Sequence, residues 1–299
     1  MSLFRRKSSS AMDGTYTFLT QSQGEEMRRL CSEVFAQSGR QATVADDHIS
    51  GGDGYQYGLE TVARILKDVP EGEWKSVLNQ YFDTRFRGHD LPSLRDLSVE
   101  ELASRTRAKI IDPATVTPEQ AEESFNYVRW IARLPLLMAY DGPETISYLT
   151  DSDFERIGDL AWDVARQNLL LEGTGQPQHI TSDDGGSMYG IMSESNFQST
   201  WAVYPADLVE ALNLDVGEHG MLISAPAATA LNFHILGESS TSEDLQFMAR
   251  MAATQYDRLT HPLSQHVYWW HGTDMEPLTV IEDNTMAFSI PESLAWVLK

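Results

Sequence analysis

The sequence predicts an α/β (α+β) fold, a mixed β-sheet packed by amphipathic helices, with a smaller N-terminal α/β lobe. Three observations lead there. Between Gly220 and Leu236 two short apolar runs are broken by Ala225-Pro226-Ala227, the pattern of two buried strands joined by a turn. Gln265 to His271 has the aromatic and β-branched content of another strand. Between them, Leu245, Met248, Ala252, Tyr256 and Leu259 recur at i, i+3 and i+4 behind a capping box at Thr241-Ser-Glu-Asp244, which marks a helix.

Taken in order, residues 1 to about 20 are polar, Ser-rich and basic at the start, and read as a flexible tail. Ser22-Gln-Gly-Glu25 has capping-box spacing, and Met27, Leu30, Val34 and Phe35 carry the helix behind it to about Ser38. Ala42 to Asp46 reads as a strand, and a second strand includes Tyr55 and Tyr57. Leu59, Val62, Ile65 and Leu66 make a short helix ending near Pro70. Trp74, Val77, Leu78, Tyr81, Phe82 and Phe86 stripe the next one. A third capping box stands at Ser98-Val-Glu-Glu101. The polar run Asp112 to Pro118 is the expected boundary, giving an N-terminal lobe over 21–112 and a main domain over 113–299.

Thr117-Pro-Glu-Gln120 starts a helix with Pro in its first position, lined by Ala121, Phe125, Val128 and Ile131. Leu134 to Leu149 reads as strand, turn, strand. Ser152-Asp-Phe-Glu155 caps a long helix that is apolar around most of its girth, with Phe154, Ile157, Leu160, Trp162, Val164 and Leu169, and so belongs in the centre. Glu172 to Ser187 reads as a long surface loop, Trp201-Ala-Val203 as part of an aromatic strand, and Pro205 to Leu212 as a short helix. Leu278 to Ile281, Met286 to Ile290 and an apolar tail through Trp296 close the chain.

At 299 residues the chain is long enough to bury about three quarters of its unfolded surface without a covalent staple. Its single cysteine, Cys31, sits on an apolar helix face, which points to a structural thiol and a reducing, cytoplasmic setting. No apolar run approaches membrane-spanning length, and Leu3 to Lys7 runs into serines and not into a signal-peptide core. The formal charge of −22 repels phosphate backbones, so nucleic acid is not an expected partner, and without a span or leader neither is a membrane. A surface of that sign suits a protein partner with a basic surface, because complementary potentials speed encounter. Asp-rich, Lys-poor usage as a compositional trait is the plainer reading of the same charge.

The run of elements from Leu134 to Leu149, the helix with Ala161 and Asn168, Pro205-Ala-Asp-Leu208 and the Met221-Leu-Ile-Ser-Ala-Pro226 strand resembles bacterial proteins grouped as domain of unknown function 1444. Tyr57 to Arg64, Glu73-Trp74 and Tyr268-Trp-Trp-His-Gly272 are similar to actinobacterial relatives of that group. The resemblance covers roughly residues 22 to 282 and implies a bacterial, intracellular α/β protein. It supplies no catalytic residue. Here Pro226 is followed by Ala227-Ala228-Thr229 where such proteins often carry a charged turn, which speaks against chemistry at that turn.

Three places offer candidate chemistry. Asp46, Asp47 and His48, with Asp53 nearby, collect oxygen and nitrogen ligands on a Gly-rich turn that suits a hard cation, although the spacing matches no calcium loop. A solvated turn is the competing reading. Asp183 and Asp184 sit in the Asp- and Gly-rich loop, an ion or ligand candidate set against an ordinary loop. Tyr268, Trp269 and Trp270 make a stacking platform if their strand lies at a sheet edge, and core otherwise. Among the histidines His234, His261, His266 and His271, the last two are five apart, so an unbroken strand sends them to opposite faces. No nucleophile elbow, phosphate loop, dinucleotide or zinc-protease pattern occurs, and no cofactor is expected. Together these make an acidic binding protein with an inhibitor, immunity or chaperone-like role the leading expectation, and a metal-assisted hydrolase built on Asp46, Asp47 and His48 or on Asp183 and Asp184 the alternative. Carboxylate mimicry of nucleic acid is weaker, because the acids are dispersed along the chain.

Overall fold

The computed structural model describes residues 11–52, 54–89, 91–113, 118–282 and 285–298. These fall into two compact units, residues 1–91 and 92–299, both mixing helices with antiparallel sheet.

In the first unit, α1 (Gln21–Gln37) and α3 (Trp74–His89) bury their apolar stripes with α2 (Glu60–Leu66) against a three-stranded sheet of β1 (Ala42–Val44), β2 (His48–Gly51) and β3 (Gln56–Gly58). Phe35, Phe82 and Phe86 meet edge-on or stacked at 5.0 to 6.2 Å, so the stripes read from the sequence do fill one core. Cys31 lies in that core, and burial pushes its thiol up to about 12.

Two expectations are corrected here. The cap of α1 is Thr20 with Gln23, not Ser22 with Glu25, because the reciprocal bonds close on the extended Thr20 backbone. Residues 11–20 are not a loose tail: Tyr16 and Leu19 are buried, and Asp13 takes both Arg28 guanidinium nitrogens at 2.8 and 3.0 Å. Gly24 is required beneath that pair, since a Cβ there would collide with the Asp13 carboxylate. Residues 1–10, the rest of the expected tail, lie outside the described residues.

The second unit holds α4 (Val99–Arg105), where the Ser98 hydroxyl accepts from Glu101 N, one half of the expected box, and β4 (Thr106–Ile110). After α5 (Pro118–Ser124) come β5 (Arg129–Ile131), β6 (Leu134–Asp141) and β7 (Ile146–Tyr148). One edge of β6 pairs with β4, from Thr106↔Tyr140 to Ile110↔Leu136; the other carries β5 and β7 end to end. This pairing places β4 with the second unit, so the division falls after Leu91 and not at the expected 112/113. Thr117, the expected start of α5, lies outside the described residues. That helix ends at Ser124, and Ile131, expected on its stripe, belongs to β5.

The central helix expected from Asp151 onward is two helices. α6 (Asp151–Ile157), boxed by Thr150 and Asp153, stops at Gly158 with φ of 81°, and α7 (Ala161–Glu172) restarts beyond it. The long-loop expectation also gives way in part, to β8 (Gln178–Thr181). β9 (Ser187–Met192) follows, and the aromatic run at Gln198–Val203 is a 3-10 turn, not a strand, packed wholly inside. α8 (Pro205–Leu212) leads into β10 (Met221–Ala227) and β11 (Ala230–Ile235). Pro226 sits in an irregular stretch of β10 between Ser224 and Ala227, so the turn itself is Ala228-Thr229.

α9 (Ser242–Arg258) then crosses the sheet, and β12 (Tyr268–His271), β13 (Asp274–Pro277), β14 (Thr279–Glu282), β15 (Thr285–Phe288) and α10 (Glu292–Ala295) complete the unit. The six-stranded order is β13-β12-β10-β11-β9-β8, while β14 and β15 form a separate hairpin. Alternation decides the layers. Met221, Ile223, Leu231 and Phe233 face a core shared with Trp201, Leu169 and β6; Leu222, Asn232 and His234 face α9. Gly220, with φ of 73°, lets the chain turn into β10 where a side chain would strike the Trp270 carbonyl.

Candidate functional site

Each site residue expected from the sequence has a definite place. Asp46 and Asp47 have exposed side chains, and His48 Nδ1 lies 2.7 Å from Asp47 Oδ1 across one peptide. This is a local pair on a solvated turn, and among the described residues no group of three His, Cys, Asp or Glu side chains converges to hold an ion. Asp53 lies outside the described residues. Asp183 is exposed; Asp184 accepts from the Ser182 hydroxyl and pairs with Arg250 of α9 at 2.8 Å, and the Ser182 bond holds its carboxyl below the usual carboxylate range.

The aromatic platform is corrected by the topology. β12 is an inner strand between β10 and β13, so Tyr268 and Trp269 are buried. Tyr268 Oη meets Ser264 Oγ at 3.0 Å, Trp269 Nε1 donates to the His219 carbonyl at 2.8 Å, and His271 stacks on the Trp269 ring at 3.9 Å. Trp270 is half-buried against the central core. Their faces are spent on packing. His266 and His271 do not share a site: the first bonds Thr279 Oγ1 at 2.9 Å, the second lies 3.3 Å from Glu276.

Two constellations that the sequence did not show come together in space. In the seam between β11 and α9, His234 Nδ1 donates to the Ser187 carbonyl at 2.9 Å, which leaves Nε2 to accept from Ser240 Oγ at 3.0 Å. Burial lowers the His234 pKa below its ordinary value, in keeping with that neutral form. Asp244 Oδ2 is 3.6 Å from the same Nε2, and its carboxylate accepts from Ser187 N and Oγ and from Thr241 N at 2.7 to 2.9 Å. A serine, a histidine and an aspartate are thus assembled, but not as a catalytic triad, in which serine and carboxylate bind different ring nitrogens. Ser240 is buried as well and accepts from Gly237 N. The set fastens the capped start of α9 to β9 and β11.

The second constellation lies on β4. Arg107 Nε donates to Glu172 at 2.6 Å and its NH1 is 3.3 Å from Asp141, while Lys109 Nζ donates to the Asn196 carbonyl at 2.7 Å above the Phe197 ring. Burial pushes the Lys109 amine down to about 8 and raises the Asp141 carboxyl. A low amine pKa is what a nucleophilic lysine needs. Here the amine is engaged by main chain and ring, and it ties β4 to the turn before Gln198.

An open concave surface lies elsewhere in this unit. A groove of roughly 740 Å³ runs between α9 and the β14–β15 hairpin. Its floor is apolar: Ala249 and Ala253 leave a trough on the helix, and Ile281, Met286 and Phe288 face it from the hairpin. Ile281 and Met286 are cross-strand partners, which sets these side chains on one face. Gln246, Gln265, Arg250 and Asp257 supply the polar rim. No family model matches the chain, and comparisons with curated proteins and with solved structures found nothing similar. The expected likeness to domain of unknown function 1444 therefore rests on the quoted sequence pattern alone.

The groove went unread in the sequence because its walls come from residues 246–257 and 281–288, far apart in the chain. The signal was present in Met286-Ala-Phe288, an apolar alternation whose Phe288 remains 41% exposed. Among the described residues no helix is long and apolar enough to cross a membrane.

Proposed function

We propose that the chain is a binding protein whose recognition site is the groove between α9 and the β14–β15 hairpin, and that its partner is a protein with a basic surface. One observation carries this reading: an apolar trough open to solvent on a chain of net charge −22. Apolar area supplies affinity, and the surrounding field speeds the encounter with a cationic partner. An inhibitor, immunity factor or chaperone-like protein works through such contact without carrying out a reaction. The alternative, a metal-assisted hydrolase on Asp46, Asp47 and His48 or on Asp183 and Asp184, has no comparable support, since the first set is a solvated turn and Asp184 is bound to Arg250.

Co-purification from the native cell tests it, with the wild-type chain and an Ala253→Trp variant that fills the trough. The expected result is a basic protein recovered with the wild type at low salt, and lost both at high salt and with the variant. Recovery of nothing with the wild type, or of the same protein with both chains, overturns the proposal.

A further inference from the structure

Resting on the groove as recognition site, we propose that it takes an extended, cationic segment of its protein partner, which adds as a third strand to the outer edge of β15. A two-stranded hairpin presents unpaired backbone N–H and C=O groups along its edges, and natural sheets blunt such edges with charge, proline, irregularity or cover. Three other edges of this unit follow that rule. β13 carries Asp274 and Glu276 and ends in Pro277; β4 carries Arg107 and Lys109; β8 is polar at Gln178, His179 and Thr181.

β15 does not. Its residues are Thr285, Met286, Ala287 and Phe288, its pairing with β14 is regular over four residue pairs, and no described strand covers its other side. The β14 side is tied down, with Leu278 N donating to the Val267 carbonyl and Thr279 Oγ1 accepting from Val267 N. Met286 and Phe288 of this unblunted strand line the groove. A strand laid there would satisfy the edge with its main chain and send alternate side chains over Met286 and Phe288.

Charge selects the occupant. A second copy of this chain brings another −22 and is repelled, whereas a segment alternating apolar residues with Lys or Arg is attracted. The nearest cation on the helix wall, Arg250, is already paired with Asp184 and does not oppose it.

The test uses the full chain and fluorescein-labelled synthetic peptides read by anisotropy. The probes are a short peptide alternating Lys and Val, the same peptide N-methylated on alternate amides, its Glu-for-Lys counterpart, and an amphipathic Lys/Leu/Ala helix. The Lys/Val peptide should bind best, with loss of about tenfold or more on methylation and on Phe288→Lys. Affinity should fall as salt rises, and amide exchange at Thr285 to Phe288 should slow on binding. Equal affinity for the methylated peptide, an unchanged affinity in Phe288→Lys, or a wild-type dimer already covering β15 would sink the inference. Preferential binding of the helical peptide, lost in Phe288→Lys, would overturn strand addition and leave the groove as recognition site. Failure of every cationic peptide to bind overturns both.

Discussion

The two faces of α9 put the same helix to opposite uses. Toward the sheet, Asp244, Met248 and Gln255 meet a layer whose polar groups are almost all matched: His234, Ser240 and Ser187 bond one another or Asp244, and Asn232 Nδ2 donates to Ser224 and Gln255. Among the described residues on that side, the buried Asn232 Oδ1 lacks a partner. Toward the hairpin, half-buried Ala253 and the 41% exposed Phe288 leave apolar surface in water, with Ala249 buried beneath. Residues with the look of chemistry are thus committed to structure, and residues with no chemical character floor the open groove. Residue type names what a group is able to do; its partners decide whether it is free to do it.

Substitutions that break this contrast come first. Asp244→Ala strands the N–H groups of Ser187 and Thr241 and removes the box at the start of α9, so a loss of roughly 3 kcal/mol is expected in chemical denaturation of the full chain. An Asp244→Ala protein as stable as the wild type would show that the seam is not structural. Next, Ala253→Trp and Phe288→Lys should leave stability within about 0.5 kcal/mol while abolishing cationic-peptide binding. Equal losses of stability and binding would erase the distinction between the two faces.

Titration sharpens the comparison further. His234 is held neutral, its folded pKa below its unfolded one, so the unfolded chain binds more protons as pH falls. Stability should therefore decline as pH drops below about 6.5, and a His234→Gln variant should show less of that decline. For Lys109, lowered to about 8, the same sign gives stability that rises with pH from about 8 to about 10.5. Lys109→Met should flatten that rise. A parallel rise in the variant would place its source in another group.

The smallest effect is expected at the solvated turn. Asp46→Asn with Asp47→Asn should move the unfolding midpoint by no more than about 0.5 kcal/mol, and a chelator should leave it unchanged. A midpoint that falls on adding chelator, in the wild type but not the double variant, would revive the metal reading.

Much of the fold was legible because burial leaves a periodic trace. The stripes of α1, α3 and α9 and the apolar runs of β10 and β11 are where the pattern placed them. What escaped was set by tertiary context. β5, β8 and β13 are short flanking strands with too few residues for a period to show, and the Trp201 turn is buried on every side although Gln198, Ser199 and Thr200 are polar, so its sequence carries no period to read. Gly158 divided a helix that its neighbours read as continuous. The Thr241 to Asp244 box was legible as a cap, while its second service to Ser187 and His234 depends on pairings across the sheet.

The clasp between Asp13 and Arg28 has a practical consequence for anyone shortening this chain. A truncation starting at Gln21, natural if residues 1–20 are taken for a loose leader, leaves the Arg28 guanidinium over a bare Gly24 and uncovers the pocket that Tyr16 and Leu19 had filled. Such a fragment would carry a sticky wound on its first unit, and any partner it captured there would be an artefact of the scissors.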